Sequence, residues 1–102
     1  MQNIMDAVER VCEFLQKIPL SKRTILQYQA TYQNIIIPYC AENQINLFCD
    51  AKMKSYVDAQ IEKAKSGEIA ESTMRLRRRS AALLADCMQD RELSQWLRRS
   101  IT

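Results

Sequence analysis

The apolar residues of this chain recur at every third or fourth position, the spacing that predicts amphipathic helices. The first stripe consists of Ile4, Val8, Val11, Cys12 and Leu15. Pro19 lies just beyond it and marks the end of the first helix. The second stripe consists of Ile25, Tyr28, Tyr32, Ile35, Ile36 and Tyr39. Ser21 is the predicted N-cap of this second helix, because its hydroxyl can accept a bond from a first-turn amide. Pro38 predicts a kink or the end of the helix, since it lacks an amide hydrogen.

The second half of the chain predicts three further helices. Asp50 is the predicted N-cap of the third, and Gly67 suits the left-handed position that ends it. The stripe of this helix consists of Met53, Tyr56, Val57, Ile61 and Ala64. Ser72 is the predicted N-cap of the fourth helix, which runs from about residue 73 to residue 88. Its inward positions are Leu76, Ser80, Leu83, Leu84 and Cys87. A short fifth segment carries Leu93, Trp96 and Leu97. Residues 99–102 are expected to fray.

Length and composition favour one small all-α domain. With 102 residues and 47% hydrophobic content, the chain can bury one core. One glycine and two prolines are too few turn residues for a many-stranded sandwich or barrel. We therefore expect a four- to five-helix orthogonal bundle over residues 1–102, with an ordered core at about 3–98. No apolar run approaches the roughly 20 residues of a membrane span, and no signal-peptide pattern is present, so a cytoplasmic protein without a membrane partner is expected.

The chain carries little that could perform catalysis. Its four cysteines, Cys12, Cys40, Cys49 and Cys87, form no Cys-x-x-Cys pair, and histidine is absent. Structural zinc sites normally use closely paired ligands, so neither a metal nor another cofactor is expected. Three of the cysteines fall on apolar stripes, as buried reduced thiols do. The chain also lacks a glycine-rich phosphate loop and a nucleophile elbow, so we expect that it is not an enzyme by itself.

The basic residues are concentrated in two stretches. The net charge of +3 is weak support for a nucleic-acid partner, but no acid occurs between Phe14 and Ala41 or between Ser72 and Ala85. Opposite the second apolar stripe, a helical wheel places Arg23, Gln27, Thr31 and Asn34, with Thr24 at the border and Lys22 in the first turn. Such groups bond phosphates, and arginine and glutamine also read base edges. The alternative interpretation is an ordinary solvated helix face.

The second basic stretch places four arginines within five residues, namely Arg75, Arg77, Arg78 and Arg79. Cations near a helix start are disfavoured by the helix dipole, so an external anion such as phosphate is one explanation. The wheel turns Arg75 and Arg78 outward and places Arg77 and Arg79 beside the apolar stripe, where a structural role is the alternative. Glu71 could pair with Arg75.

Several segments together resemble a known family. They are residues 20–28 (LSKRTILQY), residues 37–39 (IPY) before a short loop, residues 71–73 (EST), and residues 79–81 (RSA) within the arginine-rich helix. In order and spacing over about residues 10–97, they are similar to the N-terminal core-binding domain of phage-type integrases, the tyrosine recombinases. The glycine often found after the second helix of that family is replaced here by residues 42–44 (ENQ).

This resemblance implies a SAM-like helical domain that clamps one side of double-stranded DNA during DNA integration and recombination. A separate C-terminal catalytic domain of the same bacterial or phage-encoded recombinase would clamp the other side. That domain supplies the family's nucleophilic tyrosine, so none of the tyrosines here is expected to act as one. The DNA-facing positions are Arg23, Thr24, Gln27, Thr31, Ser72, Thr73, Arg75 and Arg78, and the wheel adds Lys22. We expect a monomer in isolation, with any oligomer forming on DNA.

Two other functions remain open from the sequence. A helix-turn-helix regulator would need a short turn between two helices, and the predicted loops look too long for one. A helical protein-interaction module would use an exposed apolar patch, for which the surroundings of Met88 and Trp96 are the candidate.

Overall fold

Five helical segments make up nearly all of the structure, a computed structural model that describes residues 3–99. They comprise α1 (Ile4–Leu15), α2 (Lys22–Thr31) continued by a π-helical turn (Tyr32–Ile36) and α3 (Ile37–Glu42), α4 (Asp50–Lys65), α5 (Glu71–Cys87) and α6 (Arg91–Arg99). Within the described residues, the only β-type pairing is an isolated bridge between Asn3 and Leu47. The predicted small all-α fold is confirmed. Most of the segment expected to fray, residues 100–102, lies outside the described residues.

The helix starts agree with the sequence at one of three predicted caps. Ser21 is the N-cap of α2, and its hydroxyl accepts the amide of Thr24 at 3.1 Å. The other two caps are wrong. Asp50 is the first residue of α4 rather than its cap, and Ser72 is the second residue of α5. In α5, Glu71 begins the helix instead, where its negative charge complements the helix dipole.

Pro38 does not end the second helix. The π-helical turn directly precedes α3, and the amide of Ile37 donates to the carbonyl of Tyr32, five residues back. Such a turn shifts the backbone hydrogen bonds locally, so the helix tolerates the absence of an amide hydrogen at Pro38. The chain therefore continues as one helical segment from Lys22 to Glu42.

Three helices end in the same left-handed motif. Its left-handed residue is Gln44 (φ 56°) after α3, Gly67 (φ 82°) after α4 and Gln89 (φ 60°) after α5. In each, the next amide bonds the carbonyl five residues earlier: Ile45 to Cys40 at 2.8 Å, Glu68 to Lys63 at 2.9 Å, and Asp90 to Ala85 at 3.0 Å. This is the Schellman pattern, so the predicted role of Gly67 is confirmed. After α3 and after α5, a glutamine occupies the left-handed position.

Gln89→Gly should raise the free energy of unfolding by about 1 kcal/mol. A β-carbon in the left-handed region clashes with the following carbonyl, and glycine removes that clash at the cost of a more flexible unfolded chain. Urea denaturation measures the change. Gly67→Ala is the converse control, because no atom lies within 4 Å of an added β-carbon there and only the backbone conformation is strained. A less stable Gln89→Gly protein would contradict the explanation.

α5 is the central helix of the core. It packs against α1, α2, α4 and α6. Its buried residues are Met74, Ser80, Ala81, Ala82, Leu84 and Ala85. The predicted inward residues Leu76, Leu83 and Cys87 are only half-buried. The wheel favoured large apolar residues, but small alanines let neighbouring helices approach α5 on more than one side.

Across the described residues, no helix combines the length and apolarity needed to cross a membrane.

Candidate nucleic-acid interface

The exposed face of α2 is positive. Lys22, Arg23 and Gln27 are exposed, and neither cation forms an ion pair with a described residue. The helical segment that begins at Lys22 contains no acid before Glu42. Since no carboxylate within this segment neutralises them, the two cations are available to an external anion.

The two threonines predicted for this face behave differently from Lys22 and Arg23. Thr24 is half-buried, and its hydroxyl is hydrogen-bonded to that of Ser21 at 2.8 Å. Thr31 is only 5% exposed, and its hydroxyl donates to the carbonyl of Gln27 at 2.9 Å. The predicted exposure of Thr31 is therefore wrong. A threonine inside a helix can satisfy its hydroxyl on the preceding turn and bury its methyl group, which the wheel does not register.

The arginines of α5 divide differently from the prediction. Arg75 and Arg79 are exposed, whereas Arg77 and Arg78 are half-buried. The prediction that Arg78 faces outward and Arg79 borders the core is wrong. Arg78 lies three and four residues before the buried Ala81 and Ala82, so the neighbours that cover those alanines also cover part of Arg78. Arg78 makes contacts of its own within the protein. Arg79 has no polar or charged partner among the described residues.

At the start of α5, one arginine forms an ion pair within its own helix. Arg75 Nη2 donates to Glu71 Oε1 at 2.9 Å, and both side chains are exposed. Glu71 also places negative charge at the helix N-terminus, so the cost of Arg75 there is offset within the chain. Ser72 is exposed and lies on the same stripe as Arg75 and Arg79, while Thr73 is half-buried. Ser72, Arg75 and Arg79 therefore form the outward face of α5.

Arg77 belongs to a partly buried polar contact between α4 and α5. Its Nη1 donates to Oε1 of Gln60 at 2.7 Å, and Gln60 is only 2% exposed. Gln60 was not predicted as a site residue, although it lies four residues after Tyr56 of the apolar stripe. The structural alternative for Arg77 is supported, because this side chain is engaged inside the protein.

Two buried tyrosines flank the same region. Tyr32 donates its hydroxyl to the carbonyl of Ser80 at 2.7 Å and so ties the second helical segment to α5. Tyr56 is 1% exposed, and its hydroxyl has no hydrogen-bond partner among the described residues. Burial raises the pKa of both tyrosines, and for Tyr56 the cation of Arg77 opposes part of that rise. The rings of Tyr39 and Tyr56 pack in a T-shaped arrangement with centroids 5.2 Å apart. Tyr32 and Tyr56 therefore belong to the core, and Tyr39 packs against it.

The four thiols and the region near Trp96 are weaker candidates for a functional site than the basic residues of α2 and α5. All four cysteines are free, and burial raises the pKa of the Cys12, Cys40 and Cys87 thiols, which makes them weaker nucleophiles at neutral pH. Trp96 is half-buried and lies 5.4 Å from the ammonium of Lys54. Among the described residues, no group of three potential ligands could hold a metal ion.

The fold and this surface define a small all-helical protein with exposed, unpaired cations on two adjacent helices. No protein-family model matches the chain, and no curated protein or solved structure is similar enough to it to count as a match. Any function must therefore be inferred from the residues of α2 and α5.

Proposed function

We propose that this protein is the DNA-binding, core-binding module of a site-specific tyrosine recombinase. α2 and α5 would clamp one side of duplex DNA, and a catalytic domain of the same recombinase would clamp the other side. The observation that carries the proposal is that α2 and α5 present three exposed cations without an ion pair to a described residue: Lys22, Arg23 and Arg79. They lie on two helices that pack against each other. The resemblance of residues 10–97 to integrase core-binding domains adds the recombinase context.

The binding mechanism would be mainly electrostatic. Lys22, Arg23 and Arg79 would contact phosphates directly. Arg75 would join them by leaving Glu71, because an exposed ion pair contributes only about 0–1 kcal/mol and is easily exchanged. Four phosphate contacts predict a slope of about −3.6 for the logarithm of the binding constant against the logarithm of salt concentration. Such contacts position the protein on the duplex, while base-edge contacts supply sequence preference.

An NMR titration with a generic duplex tests this proposal. At low salt, amide shift changes should cluster in residues 22–34 and 72–79, where the candidate contacts lie. Raising the salt from 50 to 200 mM should weaken binding by roughly 10²-fold, since displaced counterions drive the association. The absence of any amide shift change at low salt would contradict the proposed function.

A protein-interaction module is the second candidate, and a different patch from the predicted one favours it. Met5 is 57% exposed and Leu47 46% exposed. The bridge between Asn3 and Leu47, with the amide of Ile4 donating to Asn46 at 2.9 Å, brings these two regions together. Such a module would not bind DNA, so the same titration distinguishes the two functions.

The helix-turn-helix alternative also changes with the structure. Only three residues, 88–90, join α5 to α6, so the expectation that every loop is too long for such a motif is wrong. A recognition helix lies in the major groove against base edges and between phosphates. The exposed Glu92 in the first turn of α6 would meet phosphate repulsion there, and this acid makes α6 a poorer DNA-facing helix than α2.

A further inference from the structure

An exposed leucine lies one helical turn beyond the two cations of α2. Leu26 is 54% exposed and is not part of the hydrophobic core. Lys22 and Arg23 lie four and three residues before it, and Ala30 lies four residues after it, so all four share one exposed helix face. A large apolar side chain beside two cations would be removed from water by whatever covers this face.

The charges beside Leu26 indicate what kind of surface binds this face of α2. Because neither Lys22 nor Arg23 is neutralised by a described carboxylate, the complementary surface is strongly anionic. It must also offer an apolar group close to its negative charges. Duplex DNA does so in the major groove, where the C5-methyl of thymine lies between the two phosphate backbones. The exposed Ala30 adds no bulk to the face, so the helix can approach the groove closely. A lipid surface fits less well, because membrane-surface helices present a broad apolar face rather than one leucine.

We propose that α2 enters the major groove with Leu26 against thymine methyl groups, so that the module prefers duplexes containing thymine. This inference rests on the proposed DNA-binding function and assigns its base preference to one side chain. Gln27, the exposed neighbour of Leu26, would pair with N6 and N7 of the adenine in the same base pair. Lys22 and Arg23 would hold the phosphates on either side.

Replacing thymine by uracil isolates the methyl contact. Alternating d(AT) and d(AU) duplexes of equal length carry the same phosphates and the same hydrogen-bonding edges, and differ in the methyl group. The protein should bind d(AU) about fourfold more weakly than d(AT), the effect of losing one buried methyl group. Leu26→Ala should bind both duplexes equally, with an unchanged thermal melt. Leu47→Ala is the matched control, because Leu47 is similarly exposed but lies outside α2, and it should keep the preference.

Each other outcome overturns the inference in a recognisable way. Equal, salt-dependent affinity of the unaltered protein for both duplexes would remove the role of Leu26 and leave the proposed function standing. No binding to either duplex at 50 mM salt would remove both. A uracil penalty that persists in Leu26→Ala would assign the methyl contact to another residue. Leu26-dependent self-association in sedimentation velocity, or Leu26-dependent binding to anionic vesicles, would assign the face to a second copy or to a membrane.

Discussion

Replacing Lys22, Arg23 and Arg79 together by alanine should weaken duplex binding by 10²- to 10³-fold in about 0.1 M salt. Each lost phosphate contact removes about 0.9 from the salt slope, so the slope should fall from about −3.6 to about −0.9. The fold should survive, because the three side chains are exposed and none forms an ion pair or polar contact with a described residue. Fluorescence anisotropy with a labelled duplex at several salt concentrations measures both quantities.

The matched control for this variant changes the same amount of charge elsewhere. Lys52→Ala, Lys65→Ala and Arg91→Ala together also lower the net charge from +3 to zero, and all three side chains are exposed on α4 or α6. If the clamp is local, the control protein should keep most of its affinity and its steep slope. Equal losses in the two triple variants would mean that net charge, rather than the α2 and α5 face, drives the binding.

Tyr32→Ala should lower the free energy of unfolding by about 4 kcal/mol, the scale of removing a large aromatic side chain from a core. Tyr32 is 0% exposed, and its hydroxyl donates a hydrogen bond to the carbonyl of Ser80, which lies 48 residues away in sequence. For a domain of this size the melting temperature should fall by about 20 °C. Since this contact holds the second helical segment against α5, the variant should also bind DNA more weakly. Calorimetry and anisotropy measure the two effects.

Two conservative variants separate the hydroxyl from the ring. Tyr32→Phe loses a satisfied hydrogen bond and should lower the free energy of unfolding by about 1 kcal/mol. Tyr56→Phe removes a buried hydroxyl that has no partner among the described residues, so stability should stay the same or rise by up to about 1 kcal/mol. Equal losses in the two phenylalanine variants would contradict the assigned difference between the hydroxyls.

Much of the fold was predictable because local periodicity is strong. In α1, the residues Ile4, Val8, Val11 and Leu15 are all buried, as their spacing predicted. The cap at Ser21 was also predictable, since it depends on one hydroxyl and one amide three residues away. The starts of α4 and α5 were wrong by one or two residues, because several nearby side chains compete to begin a helix and small differences decide between them.

The candidate site was predictable only in part. Lys22, Arg23 and Gln27 are exposed as predicted, since they lie away from the apolar stripe of α2. Thr31 and Arg78 differ from the prediction because a wheel assigns one buried side to each helix. α5 contacts four neighbouring helices, so its burial follows those neighbours rather than its own apolar stripe.

By itself, the sequence determined the helical class, the approximate bounds of each helix and the concentration of positive charge at two places. These properties arise from interactions between residues within about four positions of one another. Only the tertiary structure decided that Arg79 is exposed and that Arg77 is engaged by Gln60, which lies 17 residues away. The reason is physical: whether a side chain meets solvent or another helix depends on contacts between segments that are distant in sequence, and periodicity does not specify them.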